Sequence, residues 1–169
     1  MHSRRSVRLP NHDYTIGVYF ITLVTHKRRC IFGEIRDQRM FLSAAGVLAR
    51  DQWRNIDNLR PNICIDEFII MPNHIHAILW LGTEEGAFDF NAFTELPQGS
   101  QRKFSGSQGP SLSTIIGSYK SGLSRLLRSL YGSVDQVWQR DYFEKIIRNK
   151  TILMGYREYI RNNPKNWEG

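Results

Sequence analysis

Two histidines one residue apart stand in MPNHIHAILW, residues 71–80, a stretch that otherwise has the apolar character of a buried strand. Side chains at i and i+2 of a strand point to one face, so His74 and His76 present two imidazoles side by side, near enough to share a ligand. The same pair on a half-exposed strand can equally be satisfied by hydrogen bonds with no metal at all. A structural zinc site needs four protein ligands and a catalytic one three, and neither an HxxxH nor a cysteine pair accompanies these two. That weakens a zinc hydrolase and leaves room for Mg²⁺ or Mn²⁺, its shell completed by an oxygen donor, phosphate oxygens and water.

The other candidates lie far downstream, in GYREYIRNNPKNW, residues 155–167. On a helix Tyr159 and Asn163, four apart, share a face. Asn163 directly precedes Pro164, however, and a residue before proline is disfavoured in the helical region. Tyr156 is an equal candidate from spacing, and a helical tyrosine is commonly a core residue with its hydroxyl at the rim. What favours chemistry is the company: a candidate metal pair, a tyrosine with an amide, and the cations Arg148, Lys150, Arg157, Arg161 and Lys165 around them. Tyrosine forms covalent intermediates, and a metal that polarises a phosphate oxygen makes phosphorus a better electrophile for it.

Those residues need elements to position them. VYFITLVTH, from Val18 to His26, is rich in β-branched and aromatic residues and predicts a strand, followed by the basic cluster Lys27, Arg28 and Arg29. From Asp37 to about Ile56 apolar residues recur at three- and four-residue spacing, which predicts an amphipathic helix. Asn62–Met71 and His74–Leu81 predict a hairpin turning at Pro72 and Asn73. Residues 82–110 lose periodicity and gain Gly, Ser and Gln, so a long mobile loop is expected. Ser111 or Ser113 caps a helix running through Leu130. Val137–Arg148, with alternating Trp138, Arg140, Tyr142 and Glu144, predicts a strand, and a last helix runs from about Lys150 to Asn162. The order strand, helix, hairpin, helix, strand, helix describes an α+β fold, an antiparallel sheet with packed helices in a ferredoxin-like or RRM-like sandwich.

A chain of 169 residues fits one domain, here with a basic arm over residues 1–13. The net charge of +7 favours a polyanionic partner without locating its site. Two separated cysteines, Cys30 and Cys64, exclude a disulfide framework and suit a reducing cytosol, and no apolar run is long enough to cross a bilayer. A cytoplasmic location is expected. For contact with phosphates the candidates are Arg4, Arg5 and Arg8 in the arm, Lys27, Arg28, Arg29, Arg140, Lys145 and Arg148, with Trp138 and Tyr142 as stacking platforms for unpaired bases.

With these residues in view, the sequence resembles a known family. MPNHIHAIL is similar to the HUH motif (histidine, hydrophobic residue, histidine) of single-tyrosine transposases, and VYFITLVTHKRRCIF, VWQRDYFEKIIRN and YREYIRNNPKNW resemble segments of their REP-associated branch. The resemblance runs from about Leu9 to Trp167, outside the expected loop. It implies a metal-dependent endonuclease and strand transferase specific for single-stranded DNA, nucleoid-associated, that forms a 5′-phosphotyrosine link on hairpin-forming repeats with a flanking tetranucleotide. By position it implies that His74 and His76 are metal ligands, that Asn163 completes the site and that Tyr159, rather than Tyr156, is the nucleophile. Such proteins include monomers and dimers with shared sites, so a homodimer is among the expectations. The alternative is a nucleic-acid-binding module of the same fold without catalysis.

Overall fold

The computed structural model describes residues 13–60, 62–82, 109–132 and 136–168. Arg4, Arg5 and Arg8, nearly all of the N-terminal arm and residues 83–108 of the expected loop lie outside them. The described chain runs β1 (Gly17–Val24), β2 (Gly33–Arg36), β3 (Arg39–Leu42), α1 (Ala44–Arg54), α2 (Ile56–Leu59), β4 (Ile63–Met71), β5 (His74–Leu81), α3 (Leu112–Tyr131), β6 (Phe143–Ile147) and α4 (Lys150–Asn162). Strands β4, β5, β1 and β6 form an antiparallel sheet in that order, and β2 pairs with β3 as a separate ribbon. Leaving the ribbon aside, the first and third long strands are central and the second and fourth flank them, as in the expected ferredoxin-like sandwich.

Strand periodicity sorts the core into two layers. Tyr19, Ile21 and Leu23 of β1 and Ile75, Ala77, Leu79 and Leu81 of β5 face one way, where they pack with Trp53 of α1 and Ile115, Tyr119 and Leu123 of α3. Val18 and Phe20 of β1 and Ile78 and Trp80 of β5 face the other way, against Leu153 and Ile160 of α4. His74 and His76 belong to this second face. With helices on both sides, β5 is buried along nearly its whole length, which explains why its sequence is apolar without alternating with charge.

Two expectations need correction. Helix α1 begins at Ala44, not Asp37: Ser43 is the N-cap, its Oγ accepting from the Gly46 N–H at 3.1 Å. The preceding residues form the β2–β3 ribbon, turned by Asp37 and Gln38, both at positive φ (48° and 60°), as a two-residue primed turn requires. The strand expected over Val137–Arg148 is only Phe143–Ile147. Before it the chain is diverted: Trp138 makes a lone bridge to Thr25, and the Lys120 ammonium gathers the carbonyls of Gln139 (2.6 Å) and Arg140 (3.0 Å).

Candidate active site

Helix α4 starts where Asn149 caps it, its side-chain oxygen accepting from the Ile152 N–H at 2.9 Å. It is held to the sheet by an irregularity in β4. The β4–β5 register shifts between Ile65 and Phe68, and the two residues in the shift, Asp66 and Glu67, both reach α4. Asp66 takes the Arg157 guanidinium side-on, Nε to Oδ1 at 3.0 Å and Nη2 to Oδ2 at 2.8 Å, and also accepts the Trp80 indole N–H at 2.8 Å. Both side chains are nearly buried, 10% exposed for Arg157 and 4% for Asp66. Glu67 accepts from Arg161 one turn on, at the surface. Arg157 and Arg161 flank Tyr159, so the two ion pairs fix the turn of helix that carries it.

Tyr159 projects over β5. Its hydroxyl lies 3.3 Å from Nε2 of His76, and the two rings meet edge to face at 5.1 Å. The imidazoles of His74 and His76 are 4.5 Å apart, as their i, i+2 spacing predicts. Each is pinned through Nδ1: His74 to Oδ1 of Asn73 at 2.7 Å, His76 to Oγ1 of Thr22, its cross-strand neighbour, at 2.9 Å. An amide oxygen only accepts, so His74 carries its proton on Nδ1 and its lone pair on Nε2. In the tautomer that donates from Nδ1 to the Thr22 oxygen, the His76 Nε2 lone pair receives the Tyr159 O–H. Burial, with the charge of Arg28 adding to it, lowers the pKa of His74 to about 4, although a hydrogen bond to Asn163 works against this. Burial and the neighbouring His74 lower His76 to about 3. Both rings are therefore neutral at physiological pH, as metal ligation requires.

Pro164 does not expel Asn163 from the helical path. Asn163 keeps helical angles (φ −56°, ψ −41°) and opens a 3₁₀ turn, Asn163–Asn166, where a proline in the first turn has no N–H to miss. Its side chain is buried beside His74, and Trp167 tilts over the same ring at 5.8 Å. His74, His76, Tyr159 and Asn163 thus come together from one chain. Among the described residues no three His, Cys, Asp or Glu side chains form a group that could hold a metal ion, and the polar side chain buried beside His74 is the Asn163 amide.

No family model matches the sequence. An uncharacterized protein of Haemophilus influenzae is 37% identical over 174 residues, spanning 99% of this chain and 92% of its own. The chain belongs to that protein's family. Among solved structures, a REP-associated tyrosine transposase bound to a REP hairpin superposes with a TM-score of 0.61 at 17% identity, covering 94% of this chain and 73% of its own. This is the transposase fold: an α+β sandwich with its antiparallel sheet between helices.

On that fold the two tyrosines left equal by spacing are unlike. Tyr159 is 46% exposed with its hydroxyl at His76. Tyr156 stacks flat on Phe20, ring centroids 4.2 Å apart, and burial raises its pKa. Among the expected DNA contacts, the turn of Lys27–Arg29 adjoins the site: the Thr25 N–H and hydroxyl both donate to the Asn73 carbonyl, which ties this turn to the one before His74. Lys145 pairs with Phe20 and so rises on the α4 face of the edge strand β6. Arg140 and Arg148 are exposed at the two ends of that strand's approach and exit. Trp138 is not a stacking platform. It is 4% exposed, packs between Phe32 and Tyr119 and donates its indole N–H to the Lys120 carbonyl, all on the opposite side of the sheet from His76. Tyr142 is half-buried against that same layer. Thr22, Asn73 and Asp66 join the site without being sequence candidates, and Arg157, one basic residue among five in the sequence, is set apart by its pair with Asp66. The paired carboxylates inside the apolar stretch of β4 were their one visible signal.

Proposed function

We propose that the protein is a metal-dependent single-stranded DNA endonuclease and strand transferase of the transposase kind, with Tyr159 as its nucleophile. The observation that carries this is the 3.3 Å approach of the Tyr159 hydroxyl to His76, which joins residues 83 positions apart in one exposed, basic-flanked site. The similarity in fold to a transposase bound to a REP hairpin supports single-stranded or hairpin DNA as the substrate.

The residues fit a divalent cation. Two neutral imidazoles fixed through Nδ1 and a buried amide beside them are a ready donor set, the Asn73 oxygen and the Thr22 hydroxyl holding the two rings in orientation. His74, His76 and Asn163 would hold it. With no third histidine, cysteine or carboxylate joining them among the described residues, the set suits Mg²⁺ or Mn²⁺ completed by phosphate oxygens and water better than zinc. When bound, the ion supplies positive charge to the non-bridging oxygens of the scissile phosphate.

Phenols ordinarily ionise near pH 10, so attack at neutral pH needs positive charge or a proton acceptor at the hydroxyl. An imidazole with a pKa of about 3 holds a proton poorly, which favours His76 as a ligand over His76 as general base. Tyr159 forms a bond from its oxygen to phosphorus and loses its proton to solvent. The bond from phosphorus to the 3′-oxygen breaks, and that oxygen leaves and takes up a proton. The product is a 5′-phosphotyrosine link and a free 3′-hydroxyl. The link keeps the energy of the broken phosphodiester, so a second 3′-hydroxyl can attack it and rejoin strands without ATP. Arg28 and Lys145 draw the strand's phosphates towards the site, and affinity should fall steeply with salt.

The test is incubation with single-stranded hairpin DNA and Mn²⁺, followed by a denaturing gel. Wild type should give a covalent protein–DNA band that Tyr159→Phe does not. No band from wild type across a set of hairpins, with binding intact, would instead make the protein a non-catalytic DNA-binding module.

A further inference from the structure

A groove of about 550 Å³ opens beside the Tyr159–His76 pair and runs between β6 and the first half of α4. Phe20, Tyr156 and Ile152 line it together with Phe143, which is 55% exposed, and Thr22, His76 and Tyr159 close its inner end. Two observations mark it as a site rather than a packing fault. Phe143 is the cross-strand partner of Thr22 on the edge strand, so a large aromatic ring stands in solvent on the site's own face. And α4 carries a glycine, Gly155, at the groove wall. It has no positive φ and a methyl placed there would meet nothing within 4 Å, so neither backbone strain nor close packing calls for it. A glycine inside a helix forgoes up to about 1 kcal/mol relative to alanine, and what it leaves here is open space against the nucleophile.

We propose that this groove seats one unpaired nucleobase, that of the nucleotide adjoining the phosphate at His76 and Tyr159, stacked on Phe143 and admitted by the bare wall at Gly155. This rests on the DNA reading above. The occupant follows from continuity and charge. The groove's inner end is formed by the pair that would meet the phosphate, so whatever is covalently next to that phosphate enters it. Lys145, between Phe143 and Ile147 on the same face, offers the backbone a counter-charge. The lining is apolar apart from His76 and the hydroxyls of Thr22, Tyr156 and Tyr159, and those of Thr22 and Tyr159 are engaged with His76. The site therefore grips a base chiefly by its face, and it should tolerate all four bases.

The probe is a set of fluorescein-labelled hairpin oligonucleotides with a single abasic site moved along the unpaired tail, titrated by anisotropy against wild type, Phe143→Ala and Gly155→Leu in EDTA. Wild type should lose affinity about tenfold at one position, whichever base it replaces, and both variants should show that loss already and be indifferent to the abasic site there. Gly155→Leu should melt at or above the wild-type temperature, which excludes misfolding as the cause. In a parallel Mn²⁺ reaction the cut should map next to that position. Position-specific coupling without any covalent adduct would leave the base site standing and overturn the catalytic reading. Normal adduct formation with no position coupled to either variant would overturn the base site.

Discussion

Removing the Arg157 guanidinium should be among the most damaging single changes to this protein that touch no reacting atom. Arg157→Ala takes from the Asp66 carboxylate, 4% exposed, its charged side-on partner and leaves it two neutral donors, the Trp80 indole N–H and the Glu67 backbone N–H. Breaking a buried pair from one side costs about 3–5 kcal/mol, because the partner's charge stays buried without compensation. For a chain of this size each kcal/mol moves the melting temperature by about 2–4 °C, so a drop on the order of 10 °C is expected. Arg161→Ala is the internal control. Its pair with Glu67 has the arginine 59% exposed, and its loss should cost under about 1 kcal/mol. The double variant Asp66→Asn/Arg157→Met, which removes both charges, should recover much of the loss. Urea denaturation of the four proteins reads all of this. A cost below about 1 kcal/mol for Arg157→Ala would refute the claim that the buried Asp66 pair at the β4 irregularity holds α4 in place, and an equal cost for Arg161→Ala would refute the claim that burial sets the two pairs apart.

His74→Ala and His76→Ala should each abolish Mn²⁺-dependent adduct formation while leaving binding to hairpin DNA within a fewfold, as electrophoretic mobility shifts would show. Burial depresses both histidines, so the unfolded chain binds protons that the folded one refuses as pH falls below about 6.5; metal-free stability should hold above that and decline towards pH 4, and His76→Gln should flatten the decline. Trp138→Ala should destabilise by about 3–5 kcal/mol and act on DNA binding only through folding, as calorimetry alongside anisotropy would reveal.

The histidine pair was legible because strand periodicity is local: once His74–Leu81 reads as a strand, a shared face follows. That Tyr159 should meet that face was not legible from spacing, since it depends on the β4 irregularity that turns Asp66 and Glu67 together towards α4. The β2–β3 ribbon escaped notice because Asp37-Gln38 lacks the glycine that usually advertises a primed turn, and because Met40 and Phe41 happen to continue the helical spacing of α1. Trp138 looked like an exposed platform because alternation cannot say which face a core will claim. Here Phe32 and Tyr119, distant in sequence, enclose it. Asn163 keeps its helical path despite Pro164, since a proline that disfavours an α-helix is compatible with the 3₁₀ turn that follows.

The most direct test of the central claim is mass spectrometry of tryptic peptides from the protein–DNA adduct formed with Mn²⁺ and trimmed by nuclease. Residues 158–161, EYIR, lie between Arg157 and the next tryptic site, so a modification there is separated from Tyr156 by cleavage. A nucleotide 5′-phosphate is expected on Tyr159 and none on Tyr156. A phosphate on Tyr156, or an adduct on any other residue, would contradict the claim.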